Sequence, residues 1–242
     1  MKRRLLDLAV IAAMTIASVN IVSAKGFTYP GKKTHDFQSN PIDFPSDYYS
    51  DHSMGCLILG ECKEGVVEVK SLRDVEEYYG KYLGDRKEFD AILVELNKAG
   101  SKVFIAPTEY FPIGHRGVYH TVSNNFYLND QHVHKYHVLM SVMRHEAWHA
   151  AQDCMGGTID NNIIALIMSE DKVPEIWQEM VRRTYPKYAW PWEKEATWAG
   201  KTEGMTLQAL KACNTGAMWN QPGYEPTPLT KEYLIKEGYM NE

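Results

Sequence analysis

The longest uninterrupted helical pattern in the chain runs over residues 136–153. It contains neither Pro nor Gly, and Leu139, Met143, Ala147 and Ala150 recur at three- and four-residue steps. This spacing predicts a helix with one apolar stripe, stopped by Gly156-Gly157. His145, His149 and Gln152 form a second stripe on the same helix. Upstream, residues 66–70 read as a short strand. Ser71 caps a helix to about residue 83, and Asp85 caps another through 98. Residues 102–106 read as a short buried strand ended by Pro107. Residues 117–128 are aromatic and β-branched, with a turn or bulge at Asn124-Asn125. A further helix starts at Pro191, with acids in its first turn, and runs to about residue 212. The pattern predicts an α+β fold with a small mixed sheet.

The polar stripe carries the chemistry. His145-Glu146-Ala147-Trp148-His149 reads HExxH. Residues four apart on a helix lie on one face, with Cβ atoms roughly 5–6 Å apart, so two imidazoles can share one Zn²⁺ at about 2.0–2.1 Å. Glu146 then sits beside the metal, where a carboxylate can take a proton from activated water. Without a metal, two histidines on a core helix would each need a hydrogen-bond partner.

A catalytic zinc commonly takes three protein ligands and leaves one position for water. The second helix is the best source of the third. Its opening, Pro191-Trp192-Glu193-Lys194-Glu195-Ala196, offers two carboxylates. Here the chain resembles the gluzincin branch of the zincin metallopeptidases, over roughly residues 103–213. In that family a Glu on a later helix, often followed by a small residue, completes the site. The resemblance implies a zincin-like domain in which Zn²⁺ is held by His145, His149 and Glu195, the last followed by Ala196. Glu193 is the alternative, ahead of Glu203, Glu170, Glu175 or an Asp. The resemblance also implies an edge strand before the active helix that pairs with extended substrate. Two features depart from related patterns. Gln152 and Met155 stand where the HExxHxxGxxH signature has Gly and His, which argues against a third histidine ligand. Ala199 stands where many gluzincins carry an Asp that orients a ligand His, so Gln152, Glu203 or a backbone carbonyl must serve. His120, Tyr119, Tyr185 and Tyr188 are the candidates for steadying an oxyanion. His132, His134 and His137 read as a polar helix start.

The N-terminus sets the compartment. Met1-Lys2-Arg3-Arg4 is basic, the following apolar stretch is too short to span a bilayer, and Val22-Ser23-Ala24 has small residues where a cleavage site needs them. These features predict a signal peptide over 1–24, cut after Ala24, and a secreted or periplasmic protein without stable membrane insertion after cleavage. An uncleaved anchor is the other reading. In an oxidising compartment the four cysteines predict two disulfides. Cys56 with Cys62 makes the simplest local loop. Cys154 with Cys213 then requires a bend, because a straight second helix carries Cys213 roughly 27 Å past Glu195; Gly200 and Gly204 are the candidate breaks. None of the four has zinc-ribbon spacing.

The net charge of −5 becomes more negative once the basic leader is removed, which argues against nucleic acid or anionic lipid as the main partner. A hydrophobic content of 44% suffices for one core. The organisation read from the chain is a leader over 1–24, an extended arm over 25–65, a zincin-like domain over 66–219 and a tail over 220–242. The expected function is a zinc-dependent peptidase acting on a peptide or protein substrate, with Glu146 as general base. The competing expectations are a binding or structural protein with a closed zinc site and a zinc amidase acting on a non-protein amide.

Overall fold

The computed structural model describes residues 53–216 except 59, 62, 113, 122 and 156–163, together with the pairs 12–13, 27–28 and 34–35. The expected leader cleavage site and the tail over 220–242 lie outside these residues, as does most of the arm. The fold is α+β. Its sheet contains β4 (Val67–Val69), β5 (Lys102–Ala106), β6 (Gly117–His120) and β7 (Asn125–Asn129), in the order β6-β7-β5-β4. Beyond β6, β1 (Ala12–Ala13) pairs antiparallel with Tyr119 and Val118. β2 (Phe27–Thr28) and β3 (Thr34–His35) form a separate antiparallel pair. β5 and β7 run parallel, and the remaining neighbours are antiparallel. The turn between β6 and β7 passes through Asn124 at φ 53°, a left-handed conformation Asn tolerates well. β7, the strand immediately before the long helix, is internal, and β6 is flanked by β7 and β1, so neither takes the expected edge position.

Alternation along these strands splits the interior in two. Val103, Ile105, Tyr119, Phe126 and Leu128 face the main core. Ala106, Val118 and Tyr127 face a smaller cluster with Met54 and Leu57 of α1 (Ser53–Ile58). Against the main face lie α2 (Leu72–Tyr79), α3 (Lys87–Lys98) and α4 (Tyr136–Met155). α2 begins at the expected cap, where Asp74 accepts the Ser71 N–H at 2.9 Å. It stops four residues early because Gly80 turns left-handed at φ 63°. α3 begins two residues after Asp85, whose carboxylate accepts the Lys87 N–H at 3.0 Å.

α5 (Glu175–Thr184) and α6 (Trp190–Lys201) follow, then α7 (Met205–Asn214). The helix expected to reach 212 is therefore two helices. Gly204, at φ 78°, breaks it. The break returns α7 to α4, and Cys154 and Cys213 form a disulfide with Cα atoms 6.0 Å apart. Cys56 is disulfide-bonded as well; its expected partner, Cys62, lies outside the described residues. Among the described residues no helix is long and apolar enough to cross a membrane.

Candidate metal centre

α4 and α6 pack with their axes close together, and small residues permit it. A Cβ on Gly200 would lie 3.0 Å from the Ser141 carbonyl oxygen and 3.2 Å from His145 Cβ. Ala196 is fully buried one turn earlier. Glu193 lies three residues before Ala196 and seven before Gly200, so all three share the face turned to α4.

That face completes a cluster. His145 Nε2 and His149 Nε2 are 3.2 Å apart. Glu193 Oε2 is 3.2 Å from His145 Nε2, and Oε1 is 3.8 Å from His149 Nε2. One ligand atom from each residue falls within 4.8 Å of the others. Two nitrogens on a common tetrahedral ion at about 2.05 Å stand roughly 3.3 Å apart, so the imidazole spacing suits one small cation. All three side chains are buried, with at most 1% exposure.

Glu195 does not join this cluster. Residues two apart on a helix point about 200° apart, so Glu193 and Glu195 cannot both face α4's histidines. The Glu195 carboxylate accepts from Trp148 Nε1 at 3.1 Å, Gln152 Nε2 at 2.8 Å, Ile167 N at 3.0 Å and Met168 N at 2.9 Å. The carboxylate that lies with the two histidines is therefore that of Glu193, the alternative, and not that of Glu195. Ala196 had pointed to Glu195 as its neighbour; the i, i+3 relation ties it to Glu193 instead. Glu170 pairs with Lys194, Glu175 pairs with Arg182, and Glu203 lies exposed.

Glu146 sits beside the cluster with both oxygens buried and without a hydrogen-bond partner. Burial first, then the neighbouring Glu193 charge, pushes its carboxyl well above the usual range, only partly offset by the Tyr119 backbone amide, which approaches without closing a regular hydrogen bond. Glu193 is raised to about 7 by burial, against the pull of His149 and the Tyr185 hydroxyl. Burial lowers His145 to about 3 and His149 to about 4. Both rings are thus neutral near pH 7, as metal ligation requires. His145 Nδ1 turns toward the Ala196 carbonyl without closing a regular hydrogen bond. Two carboxyl groups and two imidazoles gathered out of water, with oxygens left unpartnered, make a costly arrangement for a purely structural core. A divalent cation would offset that cost, and the donor set fits one.

The other candidates separate by position. Tyr119 is committed to Asp153 and Asn124, and His120 to Ser123. The Tyr185 hydroxyl bears on the Glu193 carboxylate and so reaches the cluster. The Tyr188 side chain lies outside the described residues. His134 bonds the Gln131 carbonyl at 2.8 Å, in keeping with a polar helix start. Gln152 Oε1 meets His149 Nδ1 at 2.7 Å and supplies the orienting contact.

Two further residues shape the site and carry no chemistry of their own. Gly200 is one. The other is Gly117, where a Cβ would lie 2.9 Å from Glu146 Cγ and 3.0 Å from its Oε1. Compared with models of protein families, with curated proteins and with solved structures, the chain matches none.

Proposed function

We propose that this chain is an exported, zinc-dependent hydrolase of the zincin type that cleaves peptide bonds. The observation that carries the reading is the convergence of His145, His149 and Glu193 beside a buried Glu146 whose two oxygens have no protein partner. His145, His149 and Glu193 would hold the ion. Three protein ligands leave a fourth position open, which is the catalytic pattern. When bound, Zn²⁺ supplies Lewis acidity that polarises a carbonyl and eases deprotonation of water.

The remaining work belongs to the chain. Glu146 has no hydrogen bond to break before it accepts a proton from water and passes it to the departing amine. Its raised proton affinity suits both directions of that transfer. Tyr185, beside Glu193, is the hydroxyl placed to donate to an oxyanion. Export rests on the leader pattern of the first 24 residues and agrees with the Cys154–Cys213 disulfide.

One observation favours a second reading. His145, Glu146, His149 and Glu193 are all fully enclosed, as in a zinc site that only holds a fold together. The Glu146→Gln variant separates the two. Zinc-loaded wild-type protein is expected to cleave an unfolded protein substrate, and Glu146→Gln to keep zinc stoichiometrically and lose cleavage. A wild-type protein that binds zinc yet leaves peptides and unfolded proteins intact supports the structural site. Equal turnover by the variant removes Glu146 from the chemistry.

A further inference from the structure

Behind the histidine-bearing face of α4 runs a chain of hydrogen bonds that starts at the carboxylate of Glu195. Three of its donors cannot act as acceptors: the Trp148 indole N–H and the backbone N–H groups of Ile167 and Met168. Oε1 receives Ile167 and Met168; Oε2 receives Trp148. Glu195 is thereby committed as an acceptor at both oxygens. The Gln152 atom 2.8 Å from Oε2 also lies 3.3 Å from the Trp192 carbonyl, which can only accept, so that atom is the amide NH₂. An amide's orientation is ordinarily ambiguous; here its partners settle it.

The consequence passes down the chain. With its NH₂ turned to Glu195, Gln152 can offer only its carbonyl oxygen to His149 Nδ1 at 2.7 Å. A carbonyl cannot donate, so Nδ1 must carry the proton. In a neutral ring Nε2 is then bare, and it is Nε2 that faces His145 and Glu193. We propose that Glu195 is a positioning residue which, through Gln152, holds His149 in the Nδ1–H tautomer and presents the Nε2 lone pair to the metal. α6 thus supplies two carboxylates with different tasks, Glu193 to the ion and Glu195 to the orientation of its neighbour. The metal half of this statement rests on the reading of His145, His149 and Glu193 as ligands; the tautomer half does not.

The first test needs no metal. Long-range ¹H–¹⁵N correlation on metal-free, ¹⁵N-histidine-labelled protein is expected to show His149 with its proton on Nδ1. A proton on Nε2 overturns the proposal. The second test exchanges the partners. Glu195→Gln can keep the two backbone bonds only by turning its NH₂ to Gln152. That would reverse the Gln152 amide and move the His149 proton to Nε2. Zinc affinity, measured by chelator competition, is expected to fall roughly 10–100-fold, the usual effect of removing an outer partner of a ligand. Adding Gln152→Glu gives an acceptor for both the new NH₂ and the His149 Nδ1–H. The double variant should regain the Nδ1–H tautomer and bind zinc within a few-fold of wild type. A merely structural role for Glu195 predicts no such recovery, and its absence, with both variants folded, refutes the proposal. If wild type binds no zinc, the metal reading fails separately, and the metal-free tautomer still decides the role of Glu195.

Discussion

Glu193 and His145 meet across two helices, Oε2 to Nε2 at 3.2 Å, although 48 positions separate them in the chain. The Glu two residues further on turns its carboxylate to the backbone of Ile167 and Met168. Glu193→Ala should therefore abolish tight zinc binding, with a loss exceeding the roughly 10–100-fold expected of an outer partner such as Glu195. Chelator competition on both variants checks the order; stronger loss in the Glu195 variant would contradict it.

Proton competition for the site should come from a carboxylate. His145 and His149 are held at about 3 and 4 by burial, so above pH 5 they have no proton to lose. Glu193, raised to about 7 by burial, keeps its proton below that value and must release it to bind a cation. Zinc affinity is expected to climb with pH by up to about tenfold per unit from pH 5 to 7 and then to flatten. Affinity that already stands at its plateau at pH 5 would assign the proton elsewhere.

Two glycines should respond differently to one added methyl. Gly117→Ala brings a Cβ to 2.6 Å from Val142 Cγ1 and into the Glu146 side chain. It should displace Glu146, cost about 1–3 kcal/mol of stability and reduce turnover while zinc still binds. Gly200→Ala pushes against the Ser141 carbonyl and His145 Cβ. It should part α6 from α4 and weaken zinc binding itself. Turnover and metal titration on the two variants distinguish these outcomes.

Another buried acid sits one turn beyond His149. Asp153 lies 2.6 Å from the Tyr119 hydroxyl, which also contacts Asn124 Oδ1 at 3.0 Å. Tyr119 has one proton and cannot donate to both, so a protonated Asp153 completes the network. Burial raises Asp153 from 3.8 to about 8. The folded state therefore binds a proton that the unfolded chain releases near 3.8. This contribution is fully present below about pH 4 and is lost as pH rises to about 8. Asp153→Asn, which cannot ionise, should gain stability relative to wild type across that window, by on the order of a few kcal/mol at its upper end. Denaturant titrations at pH 5, 7 and 9 measure the difference; a constant offset would mean that Asp153 does not titrate there.

The sequence by itself determined what depends on neighbours along one helix or strand. The 3.6-residue period put His145 and His149 on one face with Glu146 beside them, and the 102–106 strand appears within its expected bounds. Gln152, three residues past His149, was within reach as its orienting partner for the same reason. The tertiary structure alone decided what depends on the rotation of one helix against another. Glu193 and Glu195 are chemically identical, and their choice turns on the side of α6 that packs on α4. Ala196 and Gly200 mark that side, but only the packing shows what they face. The need for a break before Cys213 was legible from the cysteines, but the choice of Gly204 over Gly200 was not, because it depends on Gly200 being held against Ser141 and His145. Local periodicity is written in consecutive residues; helix rotation is set by the volume available between elements distant in the chain.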